Sequence, residues 1–157
     1  MQDDPQNGRD QSPTIIDGPT VPQTQHVHDL WVAEAVDGFL PRSRVTMQNL
    51  GEIRPNIYIH EYHPDRDDWR VRLWGLGAVH LTDIDLQGQW SSALPAEVQS
   101  KYRPLFSRAL ETRRPVTAHN RAAEYNMPLK VFEIVFVPMI FEASGLTGTL
   151  GAFWPIA

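Results

Sequence analysis

The run KVFEIVFVPMIF, residues 130–141, is apolar on both sides of an extended chain. Side chains alternate across a strand, so Phe132, Ile134, Phe136 and Ile140 share one face while Val131, Val135, Val137 and Met139 share the other. A strand of a half-exposed antiparallel sheet would alternate apolar and polar residues instead. This strand therefore needs a cover on each side. The helix around Trp31, or a second copy of the chain, is expected over the Val135 and Val137 face.

Two further segments pair naturally beside it. In NIYIHEYH, residues 56–63, Ile57 and Ile59 lie on one face and Tyr58, His60 and Tyr62 on the other. In WRVRLW, residues 69–74, Trp69, Val71 and Leu73 alternate with Arg70 and Arg72. The polar PDRDD between them reads as the turn of an antiparallel hairpin. PVTAHNRA and GTLGAFWP complete five strands, with EYNMP and EASG as connections between antiparallel neighbours.

Helical spacing is strongest over residues 96–113, where Val98, Tyr102, Leu105 and Ala109 recur and Arg113 and Arg114 suit the C-terminal dipole. Pro104 inside this stretch predicts a kink or a restart. HDLWVAEAVDG predicts a short helix from Asp29 to Gly38 with Leu30, Trp31 and Ala35 on its apolar side, and Thr46 can cap a further helical turn. The order helix, β, β, short helices, long helix, β, β, β gives an α+β fold. The expected architecture is a five-stranded antiparallel sheet with helices on one face and an N-terminal helix.

Residues 1–25 carry four prolines and, against Arg9, the acids Asp3, Asp4, Asp10 and Asp17. They lack the apolar content to offset ordering entropy, so a disordered tail is expected, pinned locally by Ile15 and Ile16. Residues 26–157 form one domain. The tail supplies -3 of the net charge of -5, which leaves the body near neutral. That excludes a protein built mainly to hold nucleic acid. The chain has no cysteine, which removes disulfides, thiolate metal sites and cysteine nucleophiles and fits a cytoplasmic protein. The start MQDDPQNGRD has no signal-peptide pattern, and no apolar run approaches the roughly 20 residues of a membrane span.

Gly75-Leu76-Gly77 follows the second hairpin strand, where a dinucleotide-binding turn could begin. That fingerprint needs a third glycine where this chain has His80, and an acid much farther on than Asp83 or Asp85. A strand exit is the better reading. Ser144-Gly145 lacks the first glycine of a nucleophile elbow. The HPDRDD turn reads as solvated, and the six histidines as ordinary surface or core residues rather than metal ligands. Glu133, the acid on the long strand, is expected to face water, so no acid–base cluster supports an enzyme.

The ordered series Trp31, GFLPRSR with Gly38, Leu40, Pro41 and Arg44, WRVRLWG, DLQGQ with Leu86 and Gly88, and KYRPLFSRALETRRPV with Tyr102 and Pro115, closed by the last two strands, resembles a bacterial PAS domain across residues 28–155. Relatives often carry a hydroxyl where this chain has Leu76, and a threonine-glycine-arginine ending where DLQGQ has Gln87 and Gln89.

The resemblance implies a sensory or interaction module, with a small ligand held between sheet and helices or a protein partner. Haem-binding members generally use a histidine on the long helix, and none lies between Glu97 and Arg113. Cysteinyl flavin needs a cysteine. Both cofactors are disfavoured; a non-covalent flavin is left open, and the cofactor stays unassigned. The pocket candidates are Leu73, Leu76, Phe106, Leu110, Phe132, Ile134, Phe136 and Phe153, which equally describe a filled core. Leu30, Trp31, Val135 and Val137 are the candidates for a homodimer interface. Nothing in this length resembles a kinase, a cyclase or a DNA-binding helix pair, so the output is expected to be a contact with a protein partner. A ligand-free interaction scaffold and a small-molecule enzyme are the alternatives.

Overall fold

The structure is a computed structural model that describes residues 12–121 and 130–157. Its elements run β1 (Thr14–Ile16), α1 (Pro22–Glu34), β2 (Leu40–Pro41), α2 (Met47–Leu50), β3 (Ile57–His63), β4 (Asp68–Trp74), α3 (Leu76–Thr82), α4 (Ala96–Thr112), β5 (Val116–Arg121), β6 (Val131–Ile140) and β7 (Thr147–Pro155). The fold is α+β. One sheet has the order β1-β5-β6-β7-β3-β4, antiparallel throughout, and β2 adds to the end of β6 in parallel. The EYNMP connection lies outside the described residues.

The sheet has seven strands rather than five. The five expected strands are β3 to β7. The additional pair are short: β1 sets Ile15 opposite Ala118 on the edge of β5, and β2 sets Leu40 opposite Met139. Thr-Ile-Ile is a β-branched run suited to a pleated edge, so residues 14–16, read as part of the tail, belong to the sheet. Residues 1–11 lie outside the described residues.

Helices cover both faces. α3 and α4 lie over Tyr58, Val116, Ala118, Phe132, Ile134, Phe136 and Phe153. α1, α2 and the 3-10 turn at 51–56 lie over Ile57, Ile59, Val135, Val137, Met139, Leu150 and Ala152. The two-sided apolarity of β6 is thus answered within one chain. Val135 and Val137, expected at a dimer interface, are fully buried under α1.

α1 starts seven residues before Asp29, with Pro22 in its first turn, where a missing N–H removes no helical bond. It ends at Glu34, and Asp37-Gly38 is not its stop signal. Both have positive φ, 54° and 87°, and Val36 and Phe39 exchange backbone hydrogen bonds of 2.9 and 3.0 Å around them. This is the turn geometry Asp-Gly favours. α2 is capped as expected, Thr46 Oγ1 accepting from Asn49 N at 3.1 Å. α4 runs through Pro104 as one helix. Pro104 faces solvent, so the carbonyl it leaves unpaired can be hydrated.

A bulge alters the hairpin. Ile59 pairs with Leu73 but His60 pairs with Val71, so Arg72 is the extra residue. Trp69 keeps to the α4 face while Leu73 turns to the α1 face.

What seats α1 is Glu133. Expected at water, it is fully buried on β6, among Val135 and its neighbours. Its carboxylate accepts from Thr20 N at 2.9 and 3.1 Å, Thr20 Oγ1 at 2.5 Å, Val21 N at 3.3 Å, Thr24 Oγ1 and His119 Nε2 at 2.8 Å. Val21, the helix N-cap, offers no side-chain cap; Glu133 takes that role from the sheet and adds a negative charge at the positive helix end. Burial alone would raise its pKa, but the bonds from Thr20, Thr24 and His119 outweigh this and lower it to about 2.

A carboxyl held below its ordinary 4.5 stabilises the fold fully above that value and loses its effect as pH falls toward 2. Glu133→Ala should cost about 3 kcal/mol or more at pH 7, because its donors lose their partner. Glu133→Gln should cost less and should also flatten the acid limb between about pH 4.5 and 2, worth about 3 kcal/mol in the native protein. Urea unfolding across pH 2–7 measures both.

Candidate functional site

Between the aromatic face of the sheet and α3, α4 and the 83–95 connection lies a cavity of about 360 Å³. Its floor is Tyr58, His60, Asn120, Phe132, Ile134, Phe136 and Phe153. Trp74, Leu81, Ile84, Leu86, Val98, Tyr102 and Phe106 are among its walls. The volume falls in the range of small-molecule sites.

Rings make the space. Tyr58 stacks on Trp74 at 5.4 Å and on Phe153 at 5.8 Å between centroids. A side chain at Gly151, opposite Tyr58, would come within 2.1 Å of that ring. Phe106 contacts His60 at 4.4 Å and Phe136 at 4.8 Å. Stiff rings held by one another cannot fold inward as aliphatic side chains would.

Gly75 and Gly77 place the wall. A Cβ at Gly75 would lie 2.3 Å from Pro55 O, and one at Gly77 would lie 1.9 Å from Asn56 Oδ1. The pair lets α3 start hard against the 51–56 turn, and Gly75 N donates to Ile57 O at 2.9 Å. This is a strand exit.

The 83–95 connection is anchored rather than loose. DLQGQ lies along the β4 edge, Val71 N donating to Gln89 O at 2.9 Å and Gly88 N to Val71 O at 2.7 Å. Buried Asp68 accepts from Ser92 Oγ at 2.5 Å and Ser92 N at 3.2 Å. Trp90 lies beneath the Arg66 guanidinium at 3.7 Å and beside the His63 ring at 4.8 Å.

Five of the expected pocket residues, Phe106, Phe132, Ile134, Phe136 and Phe153, line the cavity. Leu110 packs against the same core without lining it. Leu73 lies across the sheet because of the bulge, and Leu76 is 73% exposed on the outside of α3. Leu30 and Trp31 are half-buried against the second face, with Trp31 Nε1 donating to Gly38 O at 2.9 Å. Tyr58, His60, Trp74, Tyr102 and Asn120 were missed. The β3 alternation set Tyr58 and His60 on one face, but nothing local showed that a cavity lay there.

Two of the missed residues are buried polar groups with unused capacity. His60 is 5% exposed and its Nδ1 has no partner. Burial lowers its pKa to about 3, so the imidazole is neutral near pH 7. Asn120 Nδ2 donates to Tyr102 Oη at 2.7 Å, while its Oδ1, also buried, has no partner. Each such group costs about 1–3 kcal/mol unless a bond reaches it. Among the described residues, no group of three or more His, Asp or Glu side chains could hold a metal ion. The arrangement has room for a small, mostly apolar molecule.

The chain matches no protein-family model, no curated protein and no solved structure.

A histidine held neutral by burial opposes folding once the unfolded chain can bind a proton. Stability should therefore fall with pH between 6.5 and about 3, with a slope up to about 1.4 kcal/mol per unit. His60→Phe should remove that slope between pH 6.5 and 4.5, where Glu133 does not yet contribute. Chemical denaturation at half-unit pH steps would show it.

Proposed function

We propose that the chain is a cytoplasmic PAS-like sensory domain that binds a small ligand in the aromatic cavity and acts through protein contacts. The ring-walled cavity of about 360 Å³ is the observation that carries this reading. A core built only for packing would close such a space. The order of elements along the chain agrees with the resemblance, and the floor strands also carry the α1 anchor. Ligand binding would shift the helix–sheet packing toward one of two arrangements. No helix among the described residues is long and apolar enough to cross a membrane.

Native mass spectrometry with an absorbance scan tests the reading. A small mass retained under native conditions and lost on denaturation is expected. Ala78, buried on α3 at the cavity wall, gives a second test. Ala78→Met should fill the space, hold or raise the melting temperature and block ligand uptake. A loss of about 1–3 kcal/mol, the usual cost of overpacking, together with no bound mass would mean a filled core and end the ligand reading.

A homodimer is part of the same proposal, through the outer side of α1 rather than the sheet. Val32 on α1 and Val36 in the turn just after it are each 63% exposed. Light scattering at high micromolar concentration should report a dimer, and Val32→Lys should report a monomer. A monomeric native protein would remove the dimer and leave the cavity reading standing.

A further inference from the structure

The two ends of the cavity differ in chemistry. Its deep end is the sheet, with Phe132, Ile134 and Phe136, and with Tyr58 stacked between Trp74 and Phe153. The polar atoms there are withheld. His60 Nδ1 and Asn120 Oδ1 are closed over and present no surface to the space, and the Asn120 amide is bonded to Tyr102 Oη at 2.7 Å. At the other end the lining reaches water. Ile84 is 49% exposed, Pro95 and Glu97 are exposed, and Leu86, Leu94 and Val98 are half-buried. These residues put the mouth between the 83–95 connection and the first turn of α4, and all but Glu97 are apolar.

Neither end offers an anion a free counter-charge. Arg103 lines the cavity, but its guanidinium is engaged by Asp67 through an ion pair of 3.4 Å and a hydrogen bond to the backbone carbonyl. Thr82 Oγ1 and Gln99 Nε2 donate to Ala78 O and Leu94 O, each at 2.8 Å. Buried His60 is neutral near pH 7. An anion would lose its hydration here for nothing in return. Glu97 stands in water, where pairing with a cation is worth little.

We propose that the cavity takes an uncharged, flat aromatic molecule that is polar at one end only, with its ring end against the sheet and its polar end left in water at the mouth. This rests on reading the cavity as a ligand site. A volume of about 360 Å³ has room for about two or three fused rings. Flat rings suit a floor whose own rings are held in stacked and edge-on pairs, because a further ring gains from such contacts beyond its buried area. A hydroxyl carried down to that floor would lose its water and find no partner.

Four molecules of one carbon skeleton separate the terms: 2-naphthol, polar at one end; naphthalene-2,6-diol, polar at both; decahydro-2-naphthol, the saturated analogue; and 2-naphthoate, an anion. Two-dimensional NMR on the full chain can follow the indole N–H of Trp74, which donates to Ile84 O at 3.1 Å beside the mouth. Its signal is assigned as the one lost in Trp74→Phe. 2-Naphthol should shift it saturably. The diol should bind at least about fivefold more weakly, the saturated alcohol at least about threefold more weakly, and 2-naphthoate not at all. Ile84→Lys places a cation at an exposed position, where folding tolerates it, and should bring 2-naphthoate within about tenfold of 2-naphthol.

A diol bound as tightly as 2-naphthol would overturn the one-ended cavity. Equal binding of the saturated alcohol would overturn the preference for flat rings, and 2-naphthoate bound by the native chain would overturn the exclusion of charge. 2-Naphthoate still excluded by Ile84→Lys would overturn the orientation toward that mouth. Each of these leaves the cavity a ligand site. If none of the four shifts Trp74, the native mass spectrum separates the two failures. A retained small mass then overturns this ligand class alone, and no retained mass overturns the cavity reading with it.

Discussion

A buried carboxylate, paired with no lysine or arginine among the described residues, holds the two halves of the fold together. Glu133 gathers donors from Thr20, Val21, Thr24 and His119, which belong to the approach to α1, its first turn and β5. Burying an anion is costly, and only dense hydrogen bonding with a helix N-terminus makes it tolerable. In return the site fixes where α1 begins and how it lies on the sheet. Without that docking, Val135, Val137 and Met139 would face water, and β6 would have only one cover.

The two faces then diverge in character. The α1 face is aliphatic, with Val, Ile, Leu and Met side chains that adjust to one another and close the space. The α4 face is aromatic, and its rings brace each other at centroid separations of 4.4–5.9 Å. Braced rings leave room between them. Gly151 beneath Tyr58 and the bulge after Ile59 both serve this arrangement, the first by letting the ring lie flat and the second by sending Leu73 to the opposite side.

Local pattern revealed the hairpin, the long helix, the three final strands and the need for two covers, because each depends on alternation or helical spacing within a short window. It also placed the cavity-lining strand residues Phe132, Ile134, Phe136 and Phe153, since a strand pointing one residue inward points its second neighbour inward too. Long-range terms were hidden. The strand at Thr14–Ile16 depends on β5, about a hundred residues away, and the start of α1 depends on Glu133, more than a hundred away. Nothing near Glu133 in sequence distinguishes an anchor from a solvated acid. The bulge is equally silent, and Leu73 was assigned to the wrong face because strict alternation was assumed through it. His60 and Asn120 read as ordinary strand residues; their significance comes from what surrounds them and from what does not.

β6 connects these features physically. Phe132 and Ile134 floor the cavity, and Glu133 between them points through the sheet to α1. The backbone is shared, so a ligand that displaces either floor residue moves the carboxylate that seats the helix. Coupling of this kind needs a contiguous element and two arrangements of it. The contiguous element here is one strand thick. The second arrangement would have to preserve most of the bonds to Glu133, because losing them leaves a buried charge. That limits the proposed signal to a tilt or slide of α1 about its N-terminus, with Thr20 and Thr24 as the fixed end and the exposed Val32 and Val36 region as the part that travels farthest.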